Sequence, residues 1–159
     1  MKILLAIDES QYSLEAARIL QQRFRTENAE IRVLSVVEPI SVYISADVFP
    51  HFTPQVESIE ADRQKQAMDL VMQVAKNLRS AGFQATESID LGDAKTKIIE
   101  NATDWQADLI VMGSHGWKGL NRFLLGSVSD AVARHAPCSV EIVRLKPAPA
   151  ITKAKQEGF

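Results

Sequence analysis

Asp108-Leu109-Ile110-Val111-Met112-Gly113-Ser114-His115-Gly116 runs an apolar stretch straight into glycines, and after a gap of nine residues Gly126-Ser127 opens a helical pattern. An apolar, β-branched run ended by glycine, then a loop and a helix, is the repeating unit of a parallel α/β sheet. It is also how such proteins hold phosphate. Glycine lets the backbone turn with φ > 0 and approach a ligand with no Cβ in the way. The helix start then offers unpaired N–H groups and the positive end of the helix dipole to an anion. A two-part motif with a fixed gap is far more specific than a lone Gly-x-Gly-x-x-Gly.

Working outward, five such runs occur, at 2–7, 31–37, 84–91, 108–113 and 139–145, with helical patterns between them. Near-continuous hydrophobic strands alternating with helices predict an α/β fold: one domain, an open parallel sheet of five strands, helices on both faces. The run at 84–91 alternates with polar residues, as an edge strand should. Helices are expected at 11–26 with Ser10 as N-cap, at 56–81, at 94–104 behind Asp93, and at 127–135, stopped by Pro137. Ala17, Leu20 and Phe24 form the inner stripe of the first helix, and Met68, Val71, Ala75 and Leu78 that of the second. The third buries Ile98, Ala102 and Trp105. Gly82 is placed to end the second helix as its C′ residue.

The chain has 159 residues, enough for a substantial core without metals or disulfides. Its formal net charge of −2 gives no overall attraction for nucleic acid or anionic lipid, so any phosphate binding must be local. The single cysteine, Cys138, has no intramolecular partner, and no Cys/His metal spacing is present, which points to a reducing, cytoplasmic setting. The N-terminal apolar run is too short for a signal core or a membrane span. The stretch 38–55 carries Pro39, Pro50 and Pro54 with Tyr43, Phe49 and Phe52. A long regular element is not expected there, though a short helical turn would fit; the segment covers the ligand crevice or meets a partner. The domain is expected to end at 146, with 147–159 a fraying tail rich in Pro, Ala and Lys.

Asp8 closes the first strand at the end where open α/β sheets bind ligands. It serves a ribose or adenine edge, or it caps the first helix. Gly113 and Gly116 bring backbone N–H groups to a polyphosphate, or they merely turn the chain; Gly119 adds flexibility. Ser127-Val128-Ser129-Asp130 resembles a capping box, so the Ser127 hydroxyl serves the helix, a phosphate or both, and Ser129 reaches the same helix end. No lysine precedes Ser127, so this is not a Walker A loop: the γ-phosphate lysine and its neighbouring Mg²⁺ hydroxyl are missing. Lys118 and Arg122 offer charge in mid-loop. His115 has no fixed Ser, Cys or Asp partner and reads as a loop histidine near phosphate, not a catalytic base. Cys138 reads as a structural thiol. Asp90 and Asp93 are explained by turn and cap. The chemistry expected is binding with poor hydrolysis.

Ile3–Asp8 with Ser10, Leu34-Ser35-Val36-Val37, the run from Ala107 to Gly113, the Gly-x-x-Gly/Gly-Ser loop and the closing Val132-Ala133-Arg134-His135-Ala136-Pro137-Cys138 together resemble the universal stress protein family. The resemblance extends from Lys2 to Arg144. It implies a Rossmann-like sheet of five parallel strands in the order 3-2-1-4-5, with ATP lying across the strand ends and Mg²⁺ or Mn²⁺ carried by its phosphates. Carried over position by position, Asp8 faces the nucleoside, Val36 packs on adenine, and Ala6 and Ile7 present backbone to the base. Met112 and Gly113 begin the phosphate and ribose loop, which Gly116, Gly126, Ser127, Val128 and Ser129 complete. The resemblance further implies a homodimer through strand 140–144 and a stress-response role; the charge balance and the short apolar run point to no nucleic-acid or membrane partner. Ser139, where the family often has proline, and Glu141, inside the last strand, depart from its pattern and bear on assembly.

Two other readings compete. Slow ATP hydrolysis or phosphoryl transfer at the same site would need a base, and only Asp8 and His115 are on offer. A phospho-receiver would need acids of the first and third strands to share a cation, and in a 3-2-1-4-5 sheet those strands are not neighbours. A nucleotidyl-transferring relative would carry His-x-Gly-His or Ser-Gly-Gly-x-Asp-Ser after the first strand, where this chain has Asp8-Glu9-Ser10-Gln11.

Overall fold

The computed structural model describes residues 1–40, 53–116 and 125–145, the side chains of 53–56 excepted. The elements are β1 (Lys2–Ala6), α1 (Gln11–Arg23), a 3-10 turn (Thr26–Asn28), β2 (Glu30–Val37), α2 (Thr53–Ser80), β3 (Gln84–Leu91), α3 (Ala94–Asp104), β4 (Leu109–Gly113), α4 (Ser127–His135) and β5 (Ser139–Val143). All strands pair in parallel, in the order β3-β2-β1-β4-β5.

The two-residue period of β1 divides the core. Ile3, Leu5 and Ile7 face one layer, where Ala16, Ala17 and Leu20 of α1 and Val71, Ala75 and Leu78 of α2 pack. Leu4 and Ala6 face the other, with Ile98 and Ala102 of α3 and Val132 of α4. Ile3, Leu4 and Leu5 are wholly buried, which is why this central strand reads as unbroken apolar sequence. β3 and β5 are the two edges.

The helix ends follow their caps. Ser10 holds extended backbone and its side chain accepts the Ser13 N–H at 3.3 Å. α1 stops at Arg23, short of the expected 26, because Phe24 turns to extended backbone and a 3-10 turn follows. α2 begins at Thr53, three residues before the expected 56, so Pro54 falls in its first turn, where a missing N–H costs nothing. Gly82 ends α2 at φ +94°, with its N–H on Arg79 and that of Phe83 on Leu78, the hydrogen bonding of a left-handed cap. Met68 leaves the expected stripe: it is 37% exposed, while Ala67 and Val74 take the buried positions.

The register sets Ala6 beside both Leu34 and Met112. The carboxyl ends of β1, β2 and β4 therefore share one rim, and the connections leave to opposite sides between β1 and β4. That divergence opens a crevice. Among the described residues no helix is long and apolar enough to cross a membrane.

Candidate functional site

A cavity of about 560 Å³ opens at this rim, within the size range of small-molecule sites. Asp8 and Glu9 enter it from β1, Val36, Val37 and Glu38 from β2, and Gly116, Gly126, Ser127, Val128 and Ser129 from the glycine loop and the first turn of α4. Arg63, Gln66, Ala67 and Leu70 of α2 form the opposite wall.

Asp8 is tied to the start of α1 and also lines the cavity. Its Oδ1 accepts from Ser10 Oγ at 2.5 Å, Ser13 Oγ at 2.6 Å and the Ser10 N–H at 3.1 Å, tying the carboxylate to the start of α1. Its Oδ2 lies towards Gly116, where a Cβ would come within 2.8 Å of it. The absent side chain at 116 is what gives the carboxylate its place at the cavity.

The other glycines differ from expectation. None of Gly113, Gly116 and Gly126 has a positive φ; among the described glycines that conformation belongs to Gly82 and Gly92. Gly113 ends β4 beneath α1, where a Cβ would stand 2.6 Å from Tyr12 Cβ and 2.8 Å from the Tyr12 carbonyl carbon. Its smallness serves helix packing, and it does not line the cavity. At Gly126 a Cβ would meet the Ser114 carbonyl oxygen at 3.2 Å and His115 Cα at 3.3 Å. Here two limbs of the loop close on each other: the Gly126 N–H and Ser129 Oγ both donate to the Ser114 carbonyl, each at 2.9 Å.

The capping-box reading of Ser127 is overturned. Gly126 is the N-cap of α4 and makes no side-chain cap bond; Ser127 is the first helical residue and is exposed to the cavity. Asp130 pairs instead with Arg134 at 3.0 Å, which holds its carboxyl below the usual range. His115 is likewise displaced from its expected place. Its side chain is buried, the ring 4.9 Å from that of Tyr12 and Nδ1 3.0 Å from Ser114 Oγ. Ala6, Ile7 and Met112 are each 6% exposed and lie beneath the cavity as core. Lys118, Gly119 and Arg122 lie outside the described residues, as do most of 38–55 and the tail from 146.

The remaining candidates have structural duties. Asp93 caps α3, accepting from the Thr96 N–H at 3.1 Å and Thr96 Oγ1 at 2.6 Å, which lowers its pKa. Asp90 on β3 accepts from Asn101 Nδ2 at 3.0 Å, two strands away from β1, so it shares no site with Asp8. Burial raises the pKa of the Cys138 thiol, and nearby Asp108 adds to the effect. Glu141 turns from β5 towards α1 and pairs with Arg23.

Arg63 and Gln66 went unmarked in the sequence. They sit on a helix whose apolar period shows which face is buried but not how far it extends beyond the sheet. The Arg63 guanidinium donates to the Glu38 carbonyl at 2.9 Å, and Glu60 Oε1 accepts the Ile40 N–H at 3.1 Å. Two bonds from α2 thus secure the chain as it leaves β2.

A model of the universal stress protein family matches residues 1–144. A universal stress protein of Methanocaldococcus jannaschii is 31% identical over 143 residues, covering 90% of this chain and 81% of its own. Two solved structures share the fold. A universal stress protein in complex with cAMP superposes with a TM-score of 0.64 at 24% identity, covering 90% of this chain and 96% of the other. A family member from Arabidopsis thaliana with AMP bound gives 0.65 at 19% identity, covering 96% and 97%.

Proposed function

The chain belongs to the universal stress protein family, and from that premise we propose that it is an adenine-nucleotide-binding module with ATP as its ligand. The observation that carries this reading is the meeting of Asp8, Gly116 and the first turn of α4 around one cavity at the switch point of the sheet. The polyphosphate lies against the Gly126–Ser129 turn, whose first-turn N–H groups have no partners within the helix. Asp8 takes the ribose, and Val36 packs on the base. The AMP and cAMP of the two fold relatives support an adenosine ligand.

Among the described residues no cluster of three or more His, Cys, Asp or Glu side chains is placed to hold a metal. Mg²⁺ or Mn²⁺ would therefore enter on the phosphates. The site is proposed to grip and not to turn over. No lysine precedes Ser127; Asp8 Oδ1 already accepts three hydrogen bonds; the His115 side chain is buried. Occupancy would act by favouring one conformation or assembly over another, which requires different affinities for the two. The outer edge of β5 is the surface proposed for homodimerisation, since an edge strand needs cover. A cytoplasmic stress response is the proposed setting.

Denaturing the purified protein and identifying the released small molecule by mass spectrometry tests the ligand class. An adenine nucleotide is expected. A flavin or nicotinamide cofactor in stoichiometric amount would overturn the proposal.

A further inference from the structure

Helix α2 is too long for the sheet it covers. Its 28 residues rise about 42 Å, whereas the eight residues of β2 span about 26 Å. Because α2 links two parallel strands it runs antiparallel to them, so the excess falls at its N-terminal end, beyond the carboxyl ends of the strands. The buried stripe begins at Ala67. Arg63, one helical turn earlier on the same face, stands past the strand ends and lines the cavity.

Arg63 is the one cationic side chain lining the cavity among the described residues, where Asp8, Glu9 and Glu38 supply the opposite charge. Even so it forms no ion pair with a described residue. Its hydrogen bond to the Glu38 carbonyl fixes the guanidinium and leaves its other N–H groups for a ligand. The surroundings differ from one end of the cavity to the other. Val36, Val37, Ala67 and Leu70 lie at the Arg63 end, between β2 and α2. The first turn of α4 lies at the other end, behind β4, which is two strand spacings, about 10 Å, from β2. An apolar slot with a planar cation suits a purine ring; a helix N-terminus suits phosphate.

We propose that Arg63 is the purine contact of this cavity, its guanidinium laid against the base, and not a phosphate ligand. The inference rests on the adenine-nucleotide reading and names the residue that recognises the base. Guanidinium over an aromatic ring gains from both charge and planarity, which lysine shares only in part.

The test is calorimetric titration of AMP, ADP and ATP, each with Mg²⁺, against wild type, Arg63→Gln and Arg63→Lys, with thermal melts of all three proteins. Arg63→Gln is expected to weaken the three nucleotides by one common factor, about 3- to 30-fold. Lysine, keeping the charge without the plane, is expected not to restore them, and the melts to stay together. A loss that grows with phosphate number, or full rescue by lysine, would make Arg63 a phosphate ligand and overturn the inference. Unchanged affinity for a nucleotide that wild type binds would reduce Arg63 to a clasp on Glu38. Wild type that binds none of the three would overturn the nucleotide reading and this inference with it.

Discussion

Three glycines of one motif have three different neighbours, and substitution separates them. Gly113→Ala drives a Cβ into the backbone of α1, which cannot retreat without shifting the helix; a loss of about 1–3 kcal/mol is expected in denaturant unfolding. At Gly116 the atom in the way is Asp8 Oδ2, the far end of one side chain and not backbone, though its carboxylate is held to α1 through Oδ1. Gly116→Ala should therefore cost less than Gly113→Ala, because tilting one carboxylate is easier than shifting a helix. Equal destabilisation by both would contradict this division. The sequence marked the glycines, but positive φ is not what selects them, because close packing calls for the same residue. Likewise Asp8 was legible as a site candidate from its place after a buried strand. Its serine partners were legible only as a cap.

Helix starts were the most readable elements, since each is written in a few adjacent residues: Ser10 and Asp93 both cap as their sequences predict. Ser127 did not, because glycine with extended backbone one residue earlier ends the loop first. Element-level electrostatics yields a pH dependence. Hydrogen bonds from Thr96 lower the Asp93 pKa, and those from Arg79 and Arg134 lower Glu87 and Asp130. A carboxyl whose folded pKa is depressed contributes stability above its unfolded value and loses it as pH falls through the folded one. Unfolding midpoints should thus be level above the ordinary carboxylate range and decline through it and below. Asp93→Asn should shrink that decline; an unaltered pH profile would remove Asp93 from the account. What helix sequence did not disclose was position along the sheet. The apolar period of α2 marks its buried face, while its overhang depends on where β2 ends.

For the whole molecule, the alternation of buried runs with helices was enough for a parallel α/β sheet, and the strand order followed from family resemblance. Glu141 looked like a flaw in the last strand. Strand alternation turns it, with Val143, towards α1, where Arg23 meets it. Because the Arg23 side of that pair is largely solvent-facing and Glu141 is only partly covered, Glu141→Gln should cost about 1 kcal/mol or less. It should also leave the sedimentation coefficient unchanged, as the carboxylate points at the helix and not along the strand edge; a change in assembly state would contradict that placement. The central claim concerns the cavity, where three strand ends, the start of α4 and the overhang of α2 meet. Calorimetric titration of ATP with Mg²⁺ into wild type and into Gly116→Val tests it most directly. The account predicts saturable one-site binding to wild type, weakened about tenfold or more, roughly 1.4 kcal/mol, in a variant whose cooperative melt shows that it is folded. Equal affinity of the two folded proteins for ATP, or no binding by wild type, would contradict it.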